Sequence, residues 1–326
     1  MDFTGEVFSI SDEERFNAIA LRIFGYQLQF NRIYHDYIES AGISVSGILN
    51  YREIPFMPIE FFKTHTILCG DEVPGKIFLS SGTTGTIRGR HKITDLTVYK
   101  ESLIRGFEIF YGSPADYHIL GLIPSPAENP DSSLVYMVTT LMDLGTGKEH
   151  GFFLHDLRVL EKVLNRYATS TDKMMLIGLP FALQDFVDTY QVSFPGLIVM
   201  ETGGMKGRRK ELIREELHKE LCKGFGVKKI HSEYGMTELL SQAYSKGDGI
   251  FKCPPWMKIL IREPNDPFQL LQVDSPGGIN IIDLANYNSC SFIATQDIGK
   301  AYDDGSFEVL GRFDYSDLRG CSLLIE

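Results

Sequence analysis

Apolar positions along the chain follow two different spacings. Between Ser11 and Ser40 they recur every three or four residues behind a capped, acidic first turn, which predicts a helical segment. Further along, short apolar runs of strand type alternate with helix-like segments of about ten residues, which predicts an α/β fold with a largely parallel sheet. These runs and segments are 76–79, 117–123, 134–141, 156–166, 174–177, 185–190 and 197–200.

The clearest helical pattern covers 206–222. Its charged residues fall on one side and its apolar residues, Leu212, Ile213, Leu217 and Leu221, fall on the other. The segment opens with cations, although the helix dipole favours acids there, so we expect a bound anion or a neighbouring carboxylate at this end.

The pattern changes after about residue 255. Short β-like runs at 259–261, 268–273, 278–282 and 306–310 are separated by turns. They predict a smaller antiparallel β portion packed on the α/β body. We therefore expect one large domain over 1–312, with the α/β body to about 255 and the β-rich portion over about 256–312, followed by a short tail at 313–326.

Composition excludes several classes of protein. The 326 residues are 43% hydrophobic and 23% charged, which is typical of a globular protein. A net charge of −11 argues against non-specific nucleic-acid binding, so we expect no nucleic-acid partner. An acidic N-terminal segment and the lack of an 18-residue apolar run predict a cytoplasmic protein without stable membrane insertion. Five cysteines without a CxxC pair are expected to be reduced thiols.

The first segment with chemical potential is Ser80-Ser81-Gly82-Thr83-Thr84-Gly85, directly after a predicted strand. Glycines let backbone N–H groups converge and hydroxyls add further donors, so the segment is suited to holding phosphate oxygens. It lacks the Gly-Lys-Ser/Thr ending of a Walker A loop. The alternative is an ordinary polar loop.

The second segment is Ser232-Glu233-Tyr234-Gly235-Met236-Thr237-Glu238. A hydroxyl at Thr237 beside a carboxylate at Glu238 is suited to holding a phosphate together with Mg²⁺, which prefers oxygen ligands. The alternative is a capped helix start at Thr237.

The third cluster consists of Thr295-Gln296-Asp297-Ile298-Gly299 and Gly311-Arg312-Phe313-Asp314. A carboxylate placed after a strand accepts ribose hydroxyls in other nucleotide sites, and a nearby arginine supports sugar or phosphate. We therefore expect Asp297 and Arg312 at a nucleotide, with plain turns as the alternative.

These segments occur in an order that resembles a known superfamily. SSGTTG, ETGG (201–204), YGMTE, TQDIG and GRFD are similar to the motifs of the adenylate-forming enzymes, which include acyl-CoA synthetases, firefly luciferase and nonribosomal peptide adenylation domains. The stretch ETGGMKGRR and the ending DLRGCSLLIE most resemble the LuxE-type acyl-protein synthetases, which are related to phenylacetate-CoA ligases. The resemblance covers about residues 50–326 and implies the large N-terminal domain of these enzymes, with their mobile C-terminal domain largely missing.

The resemblance also implies roles for individual residues, with ATP and Mg²⁺ as cofactors. Residues Ser80 to Gly85 would form the phosphate loop, Thr237 would contact the α-phosphate and Glu238 would bind Mg²⁺. The strand end Glu201, Gly203 and Gly204 would line the adenine pocket, with Tyr234 and Gly235 near the base. Asp297 would bind the ribose, assisted by Arg312.

The chain departs from the superfamily pattern at two places. Where relatives have Pro-Lys-Gly after the phosphate loop, it has Ile87-Arg88-Gly89, so Arg88 keeps only the charge. Only a short segment follows Asp314, whereas larger members continue into a domain with a catalytic lysine. We expect Lys206, Arg208 or Arg209 to replace that lysine.

The tail contains a candidate nucleophile. In LuxE-type enzymes a cysteine near the C-terminus accepts the acyl group, and Cys321 lies in a similar context between basic residues that favour the thiolate. The alternative is a small residue that packs an apolar tail.

The resemblance implies a ligase that converts a carboxylic acid, expected to be a fatty acid, into an acyl adenylate. The acyl group would then pass to a thiol, either Cys321 and next an acceptor protein, or coenzyme A as in phenylacetate-type ligases. A non-catalytic nucleotide-binding module is the remaining alternative.

Overall fold

The computed structural model describes residues 1–82, 87–145, 149–203 and 213–313. The helices in these residues are α1 (Thr4–Val7), α2 (Glu13–Phe30), α3 (Arg32–Ser40), α4 (Phe61–Thr64), α5 (Leu96–Tyr111), α6 (Ser133–Leu144), α7 (Leu157–Tyr167), α8 (Pro180–Thr189) and α9 (Arg214–Phe225). Short 3₁₀ turns cover Tyr51–Glu53, Pro114–Asp116 and Leu284–Asn286.

The strands of the same residues divide into two sheets and a separate ribbon. They are β1 (Met57–Pro58), β2 (Lys76–Leu79), β3 (Arg90–Ile93), β4 (Tyr117–Leu122), β5 (Gly151–Phe152), β6 (Lys173–Gly178), β7 (Ile198–Thr202), β8 (His231–Tyr234), β9 (Ala243–Ser245), β10 (Ile250–Phe251), β11 (Met257–Arg262), β12 (Pro276–Asp283), β13 (Phe292–Ala301) and β14 (Phe307–Arg312).

The first sheet has the order β5-β4-β6-β7-β8-β9 and is parallel from β5 through β8. Its central strands β4 and β6 are buried along most of their length, as expected of strands covered on both faces. Helices supply the connections between successive parallel strands, so the predicted α/β body is confirmed.

The second sheet is mainly antiparallel, in the order β10-β14-β13-β12-β11. Strand β1 adds to it in parallel beside β13, with Met57 opposite Ile293. This confirms the β-rich portion, and it shows that residues 57–58 and 250–251, from before the expected boundary at about 255, also belong to its sheet.

The antiparallel ribbon of β2 and β3 presents the first candidate segment. Leu79 pairs with Arg90, so the segment from Ser80 to Gly89 connects two paired strands. The base of this connection is therefore fixed by strand pairing.

Three predicted elements differ from the structure. The helix expected from Ser11 to Ser40 is two helices, because Asn31 is extended and its side chain caps α3 by accepting from Tyr34 N. Helix α9 begins at Arg214 with an acidic first turn, and Ile213, which was predicted to be helical, is extended and 63% exposed; the expected start at Lys206 lies outside the described residues. The run 268–273 forms no strand beyond a single bridge at Leu270.

The four cysteines within the described residues, Cys69, Cys222, Cys253 and Cys290, are free, as predicted. None of the helices in those residues is both long enough and apolar enough to cross a membrane.

Candidate functional site

The candidate residues gather where strands β7 and β8 end at their carboxyl edges. Ligands of parallel α/β sheets bind outside this edge. Glu201 lies near the end of β7 and Tyr234 ends β8, while the ribbon connection and β13 of the second sheet approach from the side. The candidate site therefore lies between the two sheets.

Backbone and side-chain hydrogen bonds close the base of the phosphate-loop segment. Ser80 N donates to Gly89 O at 2.9 Å, and Gly89 N donates to Ser80 Oγ at 2.7 Å. The Arg88 guanidinium donates to the carbonyls of Ser80 and Leu79. Arg88 thus holds the base of the loop through backbone carbonyls. Ser81 and Gly82 are exposed beside it, whereas Thr83, Thr84 and Gly85 lie outside the described residues.

The peptide carbonyls of Thr237 and Glu238 are both held from the protein interior. His91, fully buried on β3, places Nδ1 2.8 Å from Thr237 O and Nε2 3.1 Å from Asn286 Oδ1. Asn286 Nδ2 donates to Glu238 O at 2.9 Å. Burial lowers the pKa of His91 to about 4, so the ring is neutral at physiological pH. No helix begins at Thr237, which excludes the capped-helix alternative.

A buried carboxylate holds the residues that follow. Asp283 accepts from Leu240 N at 2.8 Å, from Ser241 N at 3.0 Å and from Ser241 Oγ at 2.6 Å. Because these donors come from the main chain and a hydroxyl, the segment after Glu238 is fixed on the second sheet. The second sheet therefore holds the chain directly after the Thr237–Glu238 motif.

The Glu238 carboxyl group lies at the base of the phosphate-loop segment. A Cβ added at Gly89 would collide with Glu238 Oε1 and would come within 3.2 Å of Ser80 Oγ. Glu238 is only 6% exposed, and burial raises its pKa to about 7, opposed by a hydrogen bond from its own backbone N–H and by the charges of Arg312 and Lys63. In the described part of the chain its carboxylate takes no side-chain hydrogen bond and no ion pair. A buried carboxylate with no ion-pair partner among the described residues, at the base of a phosphate-loop segment, fits a magnesium ligand.

Asp297 lies inside strand β13, not after a strand as predicted. A bulge follows Asp297, between Ile298 and Gly299, and a Cβ at Gly299 would collide with the Glu308 carbonyl. Asp297 Oδ2 accepts from the Tyr234 hydroxyl at 2.8 Å, and Oδ1 lies 3.0 Å from Arg312 Nε. The structure thus brings together three of the predicted nucleotide contacts.

The Tyr234 ring packs edge-on against Phe251 and Phe307, with ring-centroid distances of 6.0 Å and 5.6 Å respectively. Burial, followed by the nearby Asp297 charge, raises the pKa of Tyr234 well above its usual value. The phenol therefore stays protonated and remains a hydrogen-bond donor to Asp297.

Glu201 is buried at the expected strand end, where it has several partners. Ser232 Oγ donates to its carboxylate at 2.9 Å, and His218 Nε2 and Arg214 Nε lie 3.0 Å and 3.4 Å from it. Burial raises the pKa of Glu201, but the His218 and Arg214 contacts outweigh this effect and lower it overall. Glu201 therefore joins β7 to α9. Its role in an adenine pocket stays a prediction.

Glycines shape two of the predicted positions. Gly203, exposed after β7, has a positive φ of 75°, a conformation that glycine adopts without strain. Gly235 lies against the side chain of Glu233, whose carboxylate accepts from the Thr202 hydroxyl. Glu233 is buried, and burial raises its pKa to about 7.

Besides Thr83, Thr84 and Gly85, five further predicted residues lie outside the described residues. They are Gly204, Lys206, Arg208, Arg209 and Cys321. The expected replacement of a catalytic lysine by Lys206, Arg208 or Arg209, and the expected nucleophile Cys321, therefore stay predictions.

The structure adds residues that sequence reasoning missed. His91, Asp283 and Asn286 hold the Thr237–Glu238 segment, and Gly89 leaves room for the Glu238 carboxylate. Only Gly89 had a local signal, because it belongs to the Ile87-Arg88-Gly89 stretch shortly after the phosphate-loop segment. The others act across long sequence separations that no local pattern reveals.

Comparison with solved structures identifies the fold. The 2-hydroxyisobutyryl-CoA ligase HCL, in complex with 2-HIB-AMP and CoA, matches 95% of this chain and 70% of its own, with a TM-score of 0.71 and 14% identity. ATP-bound MatB from Rhodopseudomonas palustris matches 74% of this chain with a TM-score of 0.56 and 16% identity. The chain has the fold of the large domain of adenylate-forming enzymes. This confirms the predicted fold class.

The luciferase-like enzyme from the Zophobas morio mealworm has the same fold, with a TM-score of 0.53 and 16% identity over 74% of this chain and 59% of its own. The chain spans about half the length of MatB, of which 49% is covered. No protein-family model matches the chain, and no curated protein matches it.

Proposed function

We propose that the protein uses ATP to convert a carboxylic acid into an acyl adenylate and then passes the acyl group to a thiol. In the first half, a carboxylate oxygen attacks the α-phosphorus and pyrophosphate leaves. In the second half, a thiolate attacks the acyl carbonyl and AMP leaves. The observation that carries the proposal is the placement of Glu238 against the base of the phosphate-loop segment, at the carboxyl edge of the parallel sheet.

The first half needs positioning and charge neutralisation more than covalent help from the protein. The Ser80–Gly85 segment would offer backbone N–H groups and hydroxyls to the phosphates. Glu238 would hold Mg²⁺, which neutralises phosphate charge when it is bound. Thr237 would contact the α-phosphate. His91 fixes the Thr237 carbonyl, and Thr237 lies in the same turn as Glu238.

The nucleoside would lie on the other side of this turn. Asp297 would accept the ribose hydroxyls, and its two present partners, Tyr234 and Arg312, fix its orientation. The end of β7 at Glu201 and Gly203 would border the adenine. With these assignments the site would bind ATP, and the carboxylic acid would enter beside the α-phosphate.

The identity of the acceptor thiol would distinguish a LuxE-type acyl-protein synthetase from a coenzyme A ligase. A LuxE-type enzyme would use Cys321 and then an acceptor protein, with a fatty acid as substrate, in the cytoplasm. Coenzyme A is the second candidate, favoured by the similarity to HCL in complex with 2-HIB-AMP and CoA. Both candidates are acid–thiol ligases and share the first half-reaction.

Two measurements distinguish the LuxE-type enzyme, the coenzyme A ligase and a non-catalytic nucleotide-binding module. The protein is incubated with Mg·ATP and a panel of labelled fatty, aromatic and amino acids, and acyl-AMP is sought by mass spectrometry. Denatured protein is then treated with neutral hydroxylamine, which releases thioester-linked label. The parent is compared with Cys321→Ser and with Cys222→Ser, a control at a half-buried cysteine on α9.

Acyl-AMP with label lost only in Cys321→Ser would support the LuxE subtype. Acyl-AMP without labelled protein, discharged by added coenzyme A, would support the coenzyme A ligase. ATP binding without acyl-AMP for any acid would indicate a non-catalytic nucleotide-binding module.

A further inference from the structure

Arg214, the first residue of α9, contacts both sheets of the protein. Its Nε lies 3.4 Å from the Glu201 carboxylate near the end of β7, and its Nη1 donates to the Val309 carbonyl of β14 at 3.0 Å. The guanidinium also lies over the Phe251 ring of β10, 5.5 Å from the ring centroid. A guanidinium can make these contacts together because its donors are held in a rigid planar fork. Arg214 therefore connects the parallel sheet to the antiparallel sheet.

The Glu201 end of this connection has further partners in the first sheet and α9. Ser232 Oγ donates to the Glu201 carboxylate at 2.9 Å, and His218 Nε2 lies 3.0 Å from it. These contacts hold the carboxylate independently of Arg214. What Arg214 adds is the connection from the end of β7 to the second sheet.

The Arg214 side chain is confined along its length. Gly249, in the turn between β9 and β10, has a positive φ of 69°. A Cβ at Gly249 would come within 3.3 Å of Arg214 Cδ and within 3.4 Å of its Nη1. A confined side chain has few alternative rotamers, so its hydrogen bonds are formed at a low cost in conformational entropy. The connection between the sheets therefore has a defined geometry.

Two sets of contacts lead from this connection to Asp297, the expected ribose ligand. On β14, Arg312 follows shortly after Val309, and its Nε lies 3.0 Å from Asp297 Oδ1. On the aromatic side, the Phe251 and Tyr234 rings meet edge-on with their centroids 6.0 Å apart. The Tyr234 hydroxyl donates to Asp297 Oδ2 at 2.8 Å. Each carboxylate oxygen is thus held by a residue that shares a strand with, or packs against, a residue of this connection.

We propose that Arg214 is a positioning residue for the nucleoside of ATP, which keeps Asp297 at a fixed distance from the end of β7 through β14 and Phe251. This assignment rests on the proposed function, in which Asp297 accepts the ribose hydroxyls and the end of β7 borders the adenine. Ribose and adenine would then be bound by different sheets, and the residue that joins the sheets sets the spacing of the two subsites. A site with this spacing already fixed binds its ligand at a lower entropic cost.

The test compares the parent with Arg214→Met, Arg214→Lys and the control Arg105→Met. Arg105 on α5 pairs with Glu101 at 2.8 Å and lies over the Phe8 ring at 5.5 Å, so it also has an ion pair and a ring contact. Lysine keeps the charge of Arg214 but lacks the fork that reaches both sheets, so Arg214→Lys separates the effect of charge from that of the connection.

Binding of Mg·ATP, adenosine and inorganic tripolyphosphate is measured by isothermal titration. Arg214→Met and Arg214→Lys should bind ATP and adenosine about tenfold more weakly than the parent, because the two nucleoside subsites lose their spacing. Tripolyphosphate, which has no nucleoside, should bind equally well to all the proteins. In acid-dependent pyrophosphate exchange, the KM for ATP should rise by about tenfold, whereas kcat and the KM for the acid should change by less than about twofold. Arg105→Met should match the parent throughout.

A double-mutant cycle tests whether the effect of Arg214 passes through Asp297. In the Asp297→Ala background, Arg214→Met should reduce ATP affinity by less than about twofold, because the side chain that Arg214 positions is already absent. A general loss of stability would instead give the same additional loss of affinity in both backgrounds.

Unchanged affinity for ATP and adenosine in Arg214→Met would overturn the assignment, whatever its melting temperature. So would an equal loss of tripolyphosphate binding, an Arg214→Lys variant that matches the parent, or additive losses in the double-mutant cycle. If the parent binds ATP but shows no acid-dependent exchange with any acid, the proposed function fails, while the affinities still decide the role of Arg214. No ATP binding by the parent would overturn both.

Discussion

Gly89 lies directly against the carboxyl group of Glu238, so that any side chain at Gly89 would occupy the place of Glu238 Oε1. The two residues belong to separate motifs that are distant in the sequence. Their contact joins the base of the phosphate-loop segment to the expected magnesium ligand. Several consequences of this arrangement can be measured.

The first prediction concerns the space at Gly89. In Gly89→Ala the new methyl group displaces the Glu238 carboxylate, which is the flexible end of a side chain, so the fold should survive with a small loss of stability. Pyrophosphate exchange should fall by about tenfold or more, because a misplaced ligand costs transition-state stabilisation. Gly25→Ala is the matched control, since Gly25 lies in α2 with open space around it. Equal exchange rates in the two variants would contradict the prediction.

The second prediction concerns the charge of Glu238. Glu238→Gln removes a buried carboxylate at nearly constant volume, so stability in urea should be unchanged or higher. Exchange should fall by more than about tenfold, with a higher requirement for Mg²⁺, because the expected ligand is lost. Rates are measured over a Mg²⁺ titration. A variant with the parent's rate and Mg²⁺ dependence would show that Glu238 is not a metal ligand.

The third prediction concerns Asp297. Asp297→Ala should raise the KM for ATP roughly tenfold to hundredfold, since a charged acceptor worth about 1.5 to 3 kcal/mol is removed from the ribose. The KM for the acid should change much less. Asp303→Ala, at an exposed carboxylate in the turn between β13 and β14, is the control and should match the parent. Equal effects on both substrates would place Asp297 outside the nucleotide site.

The fourth prediction concerns the pH dependence of stability. Burial raises the pKa of Glu233 from 4.5 to about 7, so between these values the folded state keeps a proton that the unfolded state has lost. Stability from this group is therefore fully present below about pH 4.5 and is lost as pH rises to about 7, by up to about 3 kcal/mol. In Glu233→Gln, the drop in unfolding free energy from pH 5 to pH 8 should be smaller than in the parent.

Urea unfolding at the two pH values measures this drop for Glu233→Gln. Glu215→Gln, at an exposed position on α9, should keep the parent's pH dependence. The same drop in all three proteins would mean that Glu233 is ionised in the folded state.

The sequence predicted the parallel body well because strands such as β4 and β6 are continuous apolar runs, buried on both faces. It failed at Ile213, where the periodic pattern predicted a helix but the residue is extended and exposed. It also failed at 268–273, where Phe268 and Val273 are apolar and yet exposed. Apolar runs at an exposed edge carry the same local pattern as buried strands.

The motifs identified residues of the candidate site but not the residues that hold them in place. Thr237, Glu238 and Asp297 could be selected because their residue types suit phosphate, metal and ribose. His91, Asn286 and Asp283 could not, because their partners are set by the packing of the second sheet against the first.

Acid-dependent exchange of labelled pyrophosphate into ATP is the most direct test of the proposed ATP-dependent activation of a carboxylic acid. The parent and Glu238→Gln are assayed with Mg²⁺ over a panel of fatty, aromatic and amino acids, with a reaction lacking acid as the baseline. We predict exchange above baseline for one class of acid in the parent, reduced by more than about tenfold in Glu238→Gln. Exchange at baseline for every acid, from a parent that binds Mg·ATP, would contradict it.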